Sequence, residues 1–460
     1  MSGEKLIIIN PANEEILAEI EKDNEVSVSN KFNQLKSGQQ QWSKTALEYR
    51  IEVITKYHSL LERELEQLAT TLTEEVGKPL QQSRNEINGS RARISWMLTH
   101  AKQYLSEETM SATDNMKEII RYEPLGVVCN ISAWNYPYLV GTNVFIPALL
   151  AGNAVLYKPS EYATLTGKHI ERLLKEAGVP DEVFQLVVGD GEIGKLLLEQ
   201  PLDGYFFTGS YITGKLIYEA VAKKMVPCQC ELGGKDPLYV ADDVENIKTV
   251  AQGTADGAFY NNGQSCCSVE RIYVHEKIFD NYVNEFVKEV ESWKIGDPKD
   301  DGTYIGPLSR KAQIHFLESQ IKEAVAKGAK ILTGGKAIEG KGYYFQPTVL
   351  ADVDHSMQIM NEESFGPVIG IMKVKSDEEA IQLMNDTAYG LTAAVYSVNQ
   401  ERAETILSQI ISGTGYWNCC DRVSAALPWS GRKHSGFGST LSHAGFRAFT
   451  QPKGYHLRLN

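Results

Sequence analysis

Long apolar runs are missing from this chain. None reaches the roughly 18 residues that a bilayer-spanning helix needs, and the opening Met1-Ser2-Gly3-Glu4-Lys5 lacks the charged-then-apolar order of a secretory leader. The expectation is a cytoplasmic protein with no membrane partner. Positive charge is in deficit, with 46 Lys and Arg against 59 Asp and Glu, a net charge of -13. Nucleic-acid affinity rests on clustered cations, so a nucleic-acid partner is excluded and a small molecule favoured. A disulfide framework is missing too. The seven cysteines are an odd number, and four of them form adjacent pairs, Cys266-Cys267 and Cys419-Cys420. No cysteine has the spacing and His partners of a zinc site, so free thiols and no metal are expected. The dinucleotide fingerprint Gly-x-Gly-x-x-Gly is absent, and no internal repeat is visible.

What is present is a globular composition, 42% hydrophobic and 23% charged. At 460 residues the chain is too long for one ordinary core and predicts two domains. Residues 26–103 read as polar helices with apolar positions at three- and four-residue steps, as in Ile51, Ile54, Tyr57, Leu60 and Leu61. From residue 126 short apolar runs alternate with helical stretches, at 126–131, 154–157, 184–188 and 205–207. A second series follows Gly233-Gly234, at 238–240, 271–275, 329–332, 368–374 and 391–398. Such alternation predicts parallel strands joined by helices. Residues 104–122 and the tail from about 447 fit neither series and resemble strands that could pair with each other or with another subunit.

Three stretches carry candidate chemistry. In 259–266 a helix runs into the turn Asn261-Asn262-Gly263 and delivers Cys266; read alone, a single thiol is more often structural than reactive. Earlier stands Glu231-Leu232-Gly233-Gly234-Lys235, a carboxylate ending an apolar strand before two backbone-permissive glycines; alone it reads as a cap or a solvated charge. Earlier still, Ser132-Ala133-Trp134-Asn135-Tyr136-Pro137 follows a strand at the end where open α/β sheets bind ligands, or forms a plain turn.

In this order and spacing the three motifs resemble the aldehyde dehydrogenase superfamily over nearly the whole chain. Lys158-Pro159-Ser160-Glu161, Phe207-Thr208-Gly209-Ser210, Glu363-Ser364-Phe365-Gly366-Pro367 and Pro428-Trp429-Ser430-Gly431 match as well. The resemblance implies two Rossmann-like open-sheet α/β domains with a small bridging β element. The expected NAD-binding domain is 1–103 and 125–232, the catalytic domain 233–446, and the bridging segments 104–124 and 447–460 of a homodimer or homotetramer.

It further implies that Cys266 is the nucleophile and that Asn135 with the Cys266 N–H forms an oxyanion hole. Glu231 is then the general base that hydrolyses the thioester; relatives that pass the acyl group to coenzyme A lack this glutamate. For the cofactor, the resemblance places Thr208, Gly209 and Ser210 at the phosphates, Lys158 and Glu161 at the adenosine ribose, and Glu363 and Phe365 at the nicotinamide end. Ser132, Ala133, Trp134, Ser160, Gly191 and Leu232 complete the expected cofactor contacts. A carboxylate at Glu161 repels a 2′-phosphate, so NAD is preferred over NADP, which some relatives with this residue accept.

The expected substrate funnel is Tyr136, Leu139, Val140, Asn143, Tyr260, Ser265, Cys267, Asp421, Val423 and Trp429. Three aromatic rings suit a cationic aldehyde, betaine aldehyde or an aminoaldehyde, although relatives of that kind often carry Trp where Asn143 stands. The rivals are an acidic semialdehyde such as succinate semialdehyde, for which no funnel Arg is visible at Asn143, and a general aliphatic or aromatic aldehyde. An inert relative acting as a binding or structural protein is the alternative of another class. Asp236 after Gly-Gly-Lys and Ala133 before Trp134 depart from the usual pattern.

Overall fold

The apolar runs after residue 126 become the centre of a parallel sheet in the computed structural model, which describes residues 4–458. Val127–Ile131 pairs with Ala154–Lys158 on one side and with Gly204–Thr208 on the other. Phe184–Leu186 and Cys228–Glu231 extend the sheet at its two ends. These strands are buried almost throughout, which is why they read as continuous apolar runs rather than alternating ones. Strand order reverses between Val127–Ile131 and Gly204–Thr208, and the loops leaving their C-terminal ends diverge to open a crevice.

Helices Glu25–Trp42, Leu47–Arg63, Leu65–Val76 and Leu80–Leu105 account for the polar helical region. Their apolar faces join one core with the first sheet, with Trp42, Tyr57 and Phe145 fully enclosed. Pro137–Ala151 is apolar on nearly every side and lies inside this core, as a helix without a polar face must.

The second sheet runs in the order Lys330–Thr333, Thr348–Ala351, Val368–Val374, Val269–His275, Asp236–Val240, Thr392–Tyr396, Thr414–Trp417, with Lys330–Thr333 antiparallel to its neighbour. It carries a separate core on each face. Asp236 accepts bonds from the Thr392 N–H at 3.1 Å and its hydroxyl at 2.7 Å, tying two neighbouring strands together. The departure noted there is therefore a structural join.

The chain leaves this sheet earlier than the expected end at residue 446. Gly436–Phe437 pairs antiparallel with Cys228–Glu231 and so belongs to the first sheet. Gly436 has φ of +104°, and a Cβ there would lie 1.9 Å from the Cys230 carbonyl oxygen, so only glycine permits the pairing.

The two weakly patterned segments do pair: Thr450–Arg458 lies antiparallel along Met116–Pro124, which also pairs with Glu108–Ala112. Residues 104 and 105 are the last turn of the preceding helix rather than part of this element. Of the expected bridging tail, 459–460 lie outside the described residues. A hairpin of Lys5–Ile9 and Ile16–Glu21 precedes the first helix, where no element was expected.

Candidate active site

The helix Ile247–Phe259 ends in a turn that only certain residues can make. Asn261, Asn262 and Gly263 all have φ between 54° and 66°. Gly263 needs no Cβ there, and asparagine is among the few other residues that enter this region readily. The two asparagine side chains hold the turn in place. Asn262 Nδ2 donates to the Gly306 and Pro307 carbonyls at 2.7 and 2.9 Å, and Asn261 Nδ2 donates to the carbonyls of Asn135 and Gln264 at 3.2 and 3.1 Å. The turn delivers Cys266, half-buried, to the junction of the two sheets. Its carbonyl comes so near Gly234 that a Cβ there would lie 2.7 Å away.

Glu231 ends the strand Cys228–Glu231 and is buried. Burial pushes its carboxyl up to about 7, against the opposing pull of the Thr440 hydroxyl, which donates to Oε1, and of the Arg93 charge. Asn135 is buried after the strand Val127–Ile131, and its Nδ2 donates to the Gln264 carbonyl at 3.1 Å. Cys266, Glu231 and Asn135, far apart in sequence, all line one cleft.

That cleft, about 980 Å³, runs across the C-terminal edge of the first sheet. Every residue expected against the cofactor, from Ser132 to Phe365, lines it. Its polar atoms suit a dinucleotide. The buried Ser132 hydroxyl has no partner. Lys158, also buried, donates to the Pro159 carbonyl at 3.3 Å and forms no ion pair among the described residues. Ser210 caps the helix Tyr211–Ala222, whose free amides suit an anion. Gly234 N donates to Glu363 Oε1 at 3.0 Å, holding that carboxyl beside the Cys266 end.

A second cavity of about 270 Å³ opens on the other side of Cys266 and Glu231, and every residue expected in the funnel lines it. Asp421, held at φ of +46°, accepts from the Cys267 thiol at 3.0 Å and the Ser265 hydroxyl at 3.4 Å. Burial raises its carboxyl to about 6.

The wall also holds Gln82, Asn85, Glu86, Arg93 and Asp256, which the sequence reading missed. Position 143 itself carries no arginine, as read, but an arginine from elsewhere in the chain does line the cavity. Arg93, 9% exposed, enters from the helix Leu80–Leu105 and donates to Asn143 Oδ1 at 2.9 Å, so the guanidinium stands beside the position where one was sought. Arg422 is exposed and does not line the cavity. A signal existed in the sequence. Gln82, Glu86, Ser90 and Arg93 form one buried polar stripe beside the buried Ile87, Ile94, Met97 and Ala101, so part of the inward face of this helix is polar where a packing helix would be apolar throughout.

A model described as the aldehyde dehydrogenase family matches residues 1–454. The chain belongs to that family. This aldehyde dehydrogenase is 36% identical to aminoaldehyde dehydrogenase 1, peroxisomal, of Pisum sativum over 97% of the chain and 91% of the relative. It is 34% identical to the chloroplastic betaine aldehyde dehydrogenase of Beta vulgaris over 98% and 92%. Among solved structures, an NAD-dependent aldehyde dehydrogenase from Sinorhizobium meliloti superposes with a TM-score of 0.96 at 32% identity, covering 99% and 92%. An E. coli NADP dependent enzyme gives 0.96 at 30%, covering 99% and 95%. The protein therefore oxidises an aldehyde to the acid with NAD or NADP. No described helix is long and apolar enough to cross a membrane.

Proposed function

We propose that this aldehyde dehydrogenase oxidises ω-aminoaldehydes to ω-amino acids, with NAD preferred. The observation that carries this reading is Asp421, a carboxylate set in the funnel wall with Tyr136, Tyr260 and Trp429 on the way to Cys266. With its carboxyl raised only to about 6, Asp421 is mostly ionised at neutral pH. A protonated amine offers it N–H donors that trimethylammonium lacks. The rings add roughly 0.5–2 kcal/mol per cation contact. Betaine aldehyde is the weaker candidate, because Asn143 leaves the cage open. The relatives named above point to the same two substrate classes.

In the proposed mechanism Cys266 Sγ, its thiol proton released to solvent, adds to the aldehyde carbon, and the oxygen that becomes negative is held by the Asn135 side-chain amide and the Cys266 N–H. Glu363 and Phe365 would hold the nicotinamide end of the cofactor, which would supply the hydride acceptor. Loss of hydride from the adduct carbon leaves a thioester on Cys266. Glu231 takes a proton from water as the water oxygen attacks that carbon, and the Cys266 sulfur departs as the acid forms. Glu161 would face the adenosine ribose and disfavour a 2′-phosphate. The three-stranded sheet 108–124 with 450–458 is assigned to bridging subunits of a homodimer or homotetramer. Seven free cysteines fit a reducing compartment, and the cytoplasm is the proposed location.

A second reading has Arg93 in its favour: a guanidinium with no carboxylate partner among the described residues would suit an acidic semialdehyde. The test follows reduced cofactor formation with an ω-aminoaldehyde, betaine aldehyde, succinate semialdehyde and a plain aliphatic aldehyde, each with NAD and with NADP. Cys266→Ala is the control. The expected result is the highest kcat/KM with the aminoaldehyde and NAD. A succinate semialdehyde preference would replace this reading with the second.

A further inference from the structure

Behind the Asn135 loop lies an ion pair buried from solvent, Lys78 with Glu86, both side chains 0% exposed. Lys78 follows the left-handed Gly77 at the turn into the helix Leu80–Leu105, and Glu86 stands two turns along that helix. Each hydrogen of the ammonium has somewhere to go. Nζ donates to Glu86 Oε2, donates to the Asn135 carbonyl oxygen at 2.7 Å, and sits over the Tyr136 ring at 3.8 Å from its centroid.

Glu86 completes the arrangement from the other side. The helix Pro137–Ala151 begins with Tyr136 as its N-cap, and no side chain of its own closes that end. Glu86 Oε1 accepts the Tyr138 N–H at 2.9 Å, so a carboxylate from another helix satisfies an orphan first-turn donor and faces the positive end of the helix dipole. The pair therefore grips residues 135, 136 and 138 at once. From the same helix Gln82 Oε1 accepts the Asn261 N–H at 3.0 Å, and Asn261 in turn donates to the Asn135 carbonyl.

Stability alone does not explain this pair. Desolvating two charges offsets most of their attraction, and apolar residues of similar volume commonly stabilise a core as well or better. What apolar residues lack is the ability to hold a carbonyl and an amide of one loop at set distances. We infer that Lys78 and Glu86 are positioning residues: a buried ionic strut that fixes the Asn135 peptide so that its side-chain amide meets the oxygen of the reacting aldehyde. The inference rests on the assignment of Asn135 as an oxyanion donor.

The experiment measures the first-turnover rate of reduced-cofactor formation for Lys78→Met, Glu86→Gln and the double variant, each with and without Asn135→Ala. Alkylation of Cys266 by iodoacetamide, which develops no oxyanion, is the parallel readout. Full loss of an oxyanion donor costs about 10²–10³-fold, so a mispositioned one is expected to slow the first turnover by about 10–100-fold. Alkylation should stay within about twofold, and in the Asn135→Ala background the loss from the strut variants should shrink to under about threefold, as residues acting through one group are not additive.

Lys78→Arg keeps a charge for Glu86 while moving the donor off the Asn135 carbonyl, and should show the same slowing without a stranded carboxylate. Unchanged first turnover in the double variant or in Lys78→Arg would overturn the strut, as would an equal loss in the Asn135→Ala background. Unchanged turnover in Asn135→Ala alone would remove the oxyanion assignment, and the strut with it.

Discussion

At Glu231 burial sets the carboxyl near 7, and the direction of its pH effect follows directly. As the proposed general base, Glu231 must be deprotonated to act, so hydrolysis of the thioester should be slow below pH 7 and rise through it; kcat measured across that range checks this. Glu231→Gln should still release one equivalent of reduced cofactor per site and then stall, with steady turnover lower by about 10²–10⁴-fold. A rapid-mixing experiment separates the two phases. Arg93 pulls the Glu231 carboxyl down, so Arg93→Met should move the acid limb of kcat to higher pH. An unmoved limb would show that the guanidinium does not act on Glu231. That Cys266, Glu231 and Asn135 would line one cleft was legible because their motifs are local in sequence. The polar stripe that holds Arg93 could be read, but its meeting with Asn143 and the approach of Thr440 to Glu231 could not, since both contacts are tertiary.

Elements place these residues through a few strained or cramped positions. The left-handed turn at 261–263 is one: Asn262→Ala keeps φ near 57° without the side-chain bonds to Gly306 and Pro307. Loss of buried hydrogen bonding there should cost about 1–3 kcal/mol of stability. A denaturant titration reads the cost, and displaced Cys266 should also lower turnover. The helix Leu80–Leu105 is the second case. Residues 26–103 read as polar helices that pack by their apolar positions, but here a buried stripe of Gln82, Glu86 and Arg93 lines the funnel and reaches the Asn135 loop. Periodicity reports which face is inward when that face is apolar, and here the polar residues at inward positions blurred the pattern. The hairpin at 5–21 escaped notice because it is short and half-exposed, with little alternation to read.

For the whole molecule, the three-stranded sheet formed by 108–124 and 450–458 stands apart from both large sheets. If it bridges subunits, deleting 450–458 should leave a folded monomer or lower assembly on size-exclusion chromatography. An unchanged assembly would place the subunit contact elsewhere. The alternation of buried strands with helices and the three motifs were determined by the sequence itself, since buried strands must be continuously apolar and each motif is a run of adjacent residues. The return of Gly436–Phe437 to the first sheet, the arginine beside Asn143 and the ion pair behind Asn135 were decided only by the tertiary structure. Each depends on segments distant in the chain meeting at a fixed distance.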